Sequence, residues 1–147
     1  MSTLSRVGLI GLGCLVALGL AACGSEEDGE GELMAPGKAC LACHGPAAGN
    51  HEAAEHALGF AGTIYESRAG EQPAEGVLVV VEDVTGQLFE VGSNRVGNFF
   101  VERPVPTPMM VEVRDGDRVL RMESPAPSGD CNACHSAAGG AGRLTRP

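Results

Sequence analysis

Short apolar runs separated by turn residues dominate the middle of the chain, between residues 60 and 123. Their alternation and their β-branched clusters are typical of strands. We predict six strands, at 60–66, 77–82, 87–92, 98–102, 109–114 and 117–123. The valine-rich run at 77–81 is apolar on both faces, which predicts a buried central strand. Turn residues at 83–86 and 115–117 separate neighbouring strands.

The segments on either side of this region have a different pattern. Residues 34–59 are expected to contain a short helix, with Asn50 as its N-cap and Gly59 at its end. The tail after Ser136 is rich in Gly and Ala, which predicts irregular backbone. The predicted fold is therefore mainly β. It is a small antiparallel β-sandwich with one short N-terminal helix, flanked by two segments of another character, at 34–59 and 126–147.

The first 22 residues are an export signal rather than part of the fold. Arg6 gives a weakly positive start, and the apolar stretch at 7–20 is too short for a stable transmembrane span. The stretch ends in the sequence LAAC, at 20–23, which resembles a bacterial lipoprotein box. The resemblance implies that Cys23 is acylated and anchors the chain in the cell envelope, and Gly24 favours the outer membrane. An ordinary secretory signal is the alternative.

Acidic residues outnumber basic ones, by 19 to 10, and the formal net charge is −9. Such a balance argues against binding to nucleic acid, which requires a basic surface. It favours partners with a basic docking face. After the signal, residues 23–33 are acidic and nearly free of apolar side chains, so we expect a flexible tether.

Three features of the β-rich region carry a family resemblance. They are the valine-rich strand at 77–81, the D-x-x-G turn at 83–86 and the sequence SNRVGNFF at 93–100. Together they resemble the carboxypeptidase-regulatory-like (transthyretin-like) β-sandwich, although the second aromatic, Phe100, falls one position early. The resemblance implies a structural module over 60–125 with no catalytic residue, and Phe99 or Phe100 in the inter-sheet core.

Two pentapeptides carry the candidate chemistry: CLACH at 40–44 and CNACH at 131–135. Each matches the C-x-x-C-H attachment site of c-type cytochromes. Two thiols three positions apart can form thioether bonds to two vinyl groups on one porphyrin edge, and the adjacent His becomes the proximal iron ligand. The sequence therefore predicts two haem c groups. The predicted thioether residues are Cys40, Cys43, Cys131 and Cys134, and the predicted proximal ligands are His44 and His135.

Two other uses of these cysteines stay open. One is a four-cysteine zinc site built from both C-x-x-C pairs, and the other is a pair of C-x-x-C disulfides. Zinc binding does not require a His after each second Cys, and zinc ribbons are chiefly intracellular. Since Cys14 leaves with the signal and Cys23 takes lipid, the mature body has no other cysteine. We therefore favour haem.

The distal iron ligands are less constrained. His51 and His56 lie five positions apart, or about 140° around a helix, so they suit two different irons better than one. Alternatively, both histidines are solvent-facing residues of a polar helix. Met122, near the end of the last predicted strand, is the competing thioether ligand, although most methionines fill cores.

The whole chain resembles small dihaem cytochrome lipoproteins in which haem motifs flank a sandwich insert. The resemblance implies outer-sphere electron transfer with other redox proteins, and no catalytic residue is assigned. The alternatives are a dihaem peroxidase-like enzyme, which requires an open iron, and a surface binding module in which the C-x-x-C pairs are structural. Six alternating strands would bring both motif segments to one end of the sandwich, and a seventh strand would reverse this.

Overall fold

The structure is a computed structural model that describes residues 34–45 and 56–147. Among these described residues, no helix is long and apolar enough to cross a membrane. Several predictions concern residues outside them. These are the signal peptide at 1–22, the lipidation site Cys23, the tether at 23–33, the helix N-cap Asn50 and the candidate ligand His51. The predicted end of that helix at Gly59 is wrong, because the described residues 56–59 form a turn and irregular backbone that leads into the first strand.

The described chain contains two one-turn helices and seven strands. In order, they are α1 (Cys40–His44), β1 (Phe60–Tyr65), β2 (Leu78–Glu82), β3 (Leu88–Gly92), β4 (Asn98–Val101), β5 (Met110–Asp115), β6 (Arg118–Arg121), α2 (Cys131–Cys134) and β7 (Leu144–Thr145). The prediction of a mainly β fold is confirmed. Each of the six predicted strands lies within two residues of an observed one at both ends.

The strands form two sheets. One has the order β3-β2-β5-β6 and is antiparallel throughout, and the other has the order β4-β1-β7. β2 pairs with β3 on one side and β5 on the other, and its residues Val79, Val80 and Val81 are buried. The prediction of a buried central strand is therefore confirmed, because an apolar run suits a strand that is covered on both faces.

Apolar side chains from both sheets form one core. Phe60 of β1 and Phe99 of β4 pack with ring centroids 5.3 Å apart. Val79 and Val111 from the other sheet belong to the same buried cluster. Phe99 is 1% exposed, whereas Phe100 is half-buried, so Phe99 is the aromatic of the SNRVGNFF sequence that enters the core. Burying these aromatic rings gives a small sandwich much of its stability.

The turn predicted at 83–86 forms through side-chain hydrogen bonds. Asp83 Oδ1 accepts from the amide of Thr85 at 2.7 Å and from that of Gln87 at 3.0 Å. Gly86 has a φ of +83°, in the left-handed region that glycine tolerates best. Asn94 closes the turn before β4 in the same way, through two following amides. The D-x-x-G and S-N features therefore have a local structural role.

The tail differs from the sequence prediction. It was expected to be irregular from Ser136 onward, but it contains β7, which pairs in parallel with the end of β1. Asp130 also forms a parallel bridge with Ala61. Residues 130–145 thus run along one edge of β1, and α2 with its following loop bulges out between the two contacts. The prediction of a wholly antiparallel sandwich is therefore wrong, because β7 runs parallel to β1.

Candidate functional site

The two C-x-x-C-H segments lie side by side on β1. The Leu41 amide donates to Asp130 Oδ2 at 3.1 Å, across 89 positions of sequence. The side-chain amide of Asn132 donates to the carbonyl of Lys38 at 2.8 Å, and its nitrogen lies 3.7 Å from Cys40 Sγ. Six strands lie between the two motifs in the chain, and the seventh comes after the second motif. The extra strand therefore does not change the prediction that both motif segments lie at the same end of the sandwich.

The second motif is built into the sheet edge. Cys131 is 9% exposed and packs against β1, where a Cβ added at Gly62 would lie 2.8 Å from Cys131 Cβ. Cys134, one turn later, is exposed. His135 Nδ1 lies 3.1 Å from the carbonyl oxygen of Gly142. Because a carbonyl can only accept, Nδ1 is the donor, and in the neutral ring Nε2 keeps its lone pair.

The first motif lies on the surface of the same sheet. α1 has no buried residue, and besides the Leu41 amide the segment before α1 makes polar contacts. The amide of Gly37 donates to Thr63 Oγ1 at 2.9 Å, and Asn98 Nδ2 donates to the carbonyl of Met34 at 2.6 Å. His44 Nδ1 is buried and has no hydrogen-bond partner among the described residues. An orphaned ring nitrogen of this kind is unusual and marks a position where a further group is expected.

A buried polar network joins these two segments. Thr63 is fully buried, and its hydroxyl donates to Asn98 Oδ1 at 2.7 Å while accepting from Gly37 and from Asn132 Nδ2. The Thr63 amide in turn donates to Asn132 Oδ1 at 3.0 Å. Every hydrogen-bonding position of the hydroxyl is used, which makes the network rigid. Sequence reasoning missed Thr63, Asn98 and Asn132; a lone Thr within the first predicted strand was the only signal.

The cysteines differ in their state. Cys40, Cys131 and Cys134 are free thiols, so neither motif closes a disulfide between its own two cysteines. Burial, with a contribution from the charge of Asp130, raises the pKa of the Cys40 thiol to about 11. The pKa of Cys131 is raised further, again chiefly by burial. Both sulfurs are therefore held in their neutral form.

Metal ligands are not clustered in the described chain, and this includes the residues of the two motifs. No group of three or more His, Cys, Asp or Glu is arranged to hold a metal ion within residues 34–45 and 56–147. A haem iron takes at most two protein ligands, so haem binding does not require such a group. His56 is exposed in a turn, and Met122 is half-buried and packs against the core. Ligation by either residue stays a prediction.

A cleft of about 350 Å³ opens beside both motifs, between residues 36–38 and 136–137. Lys38 and Arg143 line it. The Arg143 guanidinium lies 4.9 Å from the centroid of the Tyr65 ring and donates to the carbonyl of Gly70 at 2.9 Å. Glu71 also lines the cleft and pairs with Arg143 at 3.6 Å, so the cleft carries side chains of both charges.

No family model matches this chain, and no curated protein or solved structure is significantly similar to it. The function must therefore be argued from the site itself.

Proposed function

We propose that this protein is an exported, lipid-anchored c-type cytochrome that carries two haem c groups and transfers electrons. The observation that supports this most is the packing of two complete C-x-x-C-H segments against each other on β1. Haem iron supplies one-electron chemistry, between Fe(III) and Fe(II). The chain's own residues would attach, ligate and partly enclose the two groups.

The local geometry of the motifs fits haem attachment. In α2, Cys131 and Cys134 are one helical turn apart, which places their side chains on the same side of the turn. Cys40 and Cys43 have the same relation in α1. In each case the His follows immediately at or near the end of the turn, as a proximal ligand requires.

The orientation of His135 fits the role of a proximal ligand. Metal-bound histidines usually donate their other ring N–H to a carbonyl or carboxylate, which fixes the tautomer and the ring plane. His135 Nδ1 makes this bond to Gly142, so Nε2 is the nitrogen left for iron. The buried, unpartnered Nδ1 of His44 leaves the first ring without such an anchor among the described residues.

The surroundings of the buried sulfurs suit thioethers. Burial opposes a bare, uncoordinated thiolate at Cys40 and Cys131. A thioether carries no charge and can lie in the apolar surroundings that Cys131 occupies without this desolvation cost.

Location and partners follow from the N-terminal sequence and the charge. We propose that lipid at Cys23 anchors the protein to the outer membrane, with the body in the periplasm or at the cell exterior. The net charge of −9 suits a redox partner with a basic docking face.

Paired cysteine variants test the proposal. Replacing Cys131 and Cys134 by Ala should remove one covalent haem from the intact mass, and replacing Cys40 and Cys43 should remove the other. Cys14→Ala, in the predicted signal peptide, is the matched control and should retain both. Stoichiometric zinc, released when the same pairs are replaced, would contradict the proposal in favour of the zinc alternative.

Distal ligation is tested on the reduced protein. His51→Ala, His56→Ala and Met122→Leu should each leave the covalent haem count unchanged, and loss of a low-spin spectrum in one of them identifies that residue as a ligand. Rapid binding of carbon monoxide to the wild type would reveal an open iron. This result would favour the peroxidase-like alternative over electron transfer.

A further inference from the structure

Asn132 occupies a variable position of the second motif, yet its side chain contacts the first. Its Nδ2 donates to the carbonyl of Lys38 at 2.8 Å and to Thr63 Oγ1 at 3.0 Å, and it lies 3.7 Å from Cys40 Sγ. Its Oδ1 accepts from the Thr63 amide. The side chain is 3% exposed. One buried amide thus contacts the first attachment segment and the strand that supports both.

A second contact joins the segments beside the first. Asp130 Oδ2 accepts from the amide of Leu41, which directly follows Cys40. Asp130 and Asn132 are the two neighbours of Cys131 in the chain. The first cysteines of the two motifs are therefore linked through hydrogen bonds between residues that lie one or two positions from each cysteine.

We propose that Asn132 is a positioning residue that fixes the two haem attachment segments against each other, so that the haems form one interacting redox pair. This inference rests on the proposed function. A buried, fully bonded amide is costly to rearrange, because any movement leaves its partners unsatisfied. The relative position of the attachment points is consequently set by the fold, and electrons can pass between two centres held in fixed geometry.

The test is the magnetic interaction between the two ferric haems, measured by electron paramagnetic resonance on the full-length protein. This interaction falls with the cube of the distance between the irons. Asn132→Leu removes all the polar contacts at similar volume, and we expect both haems to be retained while the interaction is lost. Ser93→Ala is the control. Its buried hydroxyl donates to the Ala74 carbonyl and accepts from the Val77 amide, so this variant should be similarly destabilised but keep the interaction.

A pair of milder variants keeps the test decisive if Asn132→Leu does not fold. Asp130→Ala and Asp130→Asn both remove the negative charge, but only Asn keeps an oxygen that can accept from Leu41. We expect a weakened interaction in Asp130→Ala and a wild-type interaction in Asp130→Asn.

An unchanged interaction in both Asn132→Leu and Asp130→Ala would overturn the inference. Two covalent haems without interaction in the wild type would also overturn it, but would leave the proposed function intact. A wild-type protein without haem would instead contradict the proposed function itself.

Discussion

The two C-x-x-C-H segments share a sequence pattern but have different surroundings. In the second, Cys131 and Asn132 are buried, and the His135 ring is held by a backbone carbonyl. In the first, α1 has no buried residue, and His44 Nδ1 has no partner within the described part of the chain. The second segment is part of a sheet edge, bounded by the Asp130 bridge and β7. The first is held largely by polar contacts with β1 and with the second segment.

This difference implies a hierarchy of local stability. A segment that lies between two backbone pairings with a sheet can unfold only when those pairings break. A segment held by a few hydrogen bonds can unfold locally while the sheet stays intact. We therefore expect the first motif to depend on the second more than the reverse. Variants of the two segments should reveal this hierarchy of local stability, and the largest loss is expected where the second segment packs on β1.

Gly62→Ala should damage the second segment most. The added Cβ would lie 2.5 Å from Phe99 Cζ and 2.8 Å from Cys131 Cβ, both inside the core. Overpacking of this kind costs about 3 kcal/mol at its upper range. Urea unfolding should show the loss in the free energy of unfolding. Gly92→Ala in β3 is the control, because its Cβ would meet no atom within 4 Å. Equal stability of the two variants would contradict the tight packing of Cys131 on β1.

Thr63→Val should loosen the first segment selectively. It leaves the half-buried Gly37 amide and the buried Asn132 side chain without their hydroxyl partner, at a cost of about 2 kcal/mol. Hydrogen exchange should speed up at Gly37 more than at amides of β2. Thr63→Ser keeps the hydroxyl and should restore most of the protection. Uniformly faster exchange across both sheets would argue against a separately held first segment.

Acid should affect the Asp83 turn and the second segment with opposite sign. The Thr85 hydroxyl and nearby amides lower the pKa of Asp83, so its stabilising contribution is present at neutral pH and is lost as pH falls through that lowered pKa. Burial raises the pKa of Asp130, so its ionised form opposes folding at neutral pH, and protonation relieves this.

Urea midpoints measured from neutral pH to about pH 3, below the ordinary carboxyl range, check this prediction. Asp83→Asn should be less stable than the wild type at neutral pH, and Asp130→Asn should be equally or more stable. Both differences should shrink in acid. A loss of stability in Asp130→Asn that is greatest at neutral pH would contradict the assignment.

Arg146→Gln should give the smallest effect. Its guanidinium pairs with Glu66 at 3.0 Å and Asp115 at 2.9 Å, which clasps the end of the second segment to both sheets. These groups are partly exposed, so we expect only a small loss in the free energy of unfolding. Arg118→Gln, at an exposed arginine, should change thermal unfolding less. A larger loss in Arg118→Gln than in Arg146→Gln would refute the clasp.

The sandwich was largely predictable because its signals are local. Alternation and valine content located β2, and the turn residues Asp83 and Gly86 fixed where it ends. β7 was missed because a two-residue strand has no periodicity, and its pairing with Ile64 and Tyr65 depends on tertiary structure. The same limit applies to α2, whose single turn is too short for a helical pattern.

The candidate site was predictable in its ligands but not in its architecture. The C-x-x-C-H spacing identifies Cys131 and His135 without any knowledge of the fold. Asn132 and Thr63 carry no such signal, because their role arises only when residues 69 positions apart become neighbours. Side-chain contacts between distant strands and loops cannot be predicted from one sequence unless the pairing register of the strands is known.

The number of covalent haems on the purified mature protein tests the central claim most directly. A pyridine haemochrome spectrum combined with intact mass should give two haem c groups per chain, together with the mass of a lipid at Cys23. An iron-free protein without Soret absorption, isolated from cells that mature other c-type cytochromes, would contradict the account.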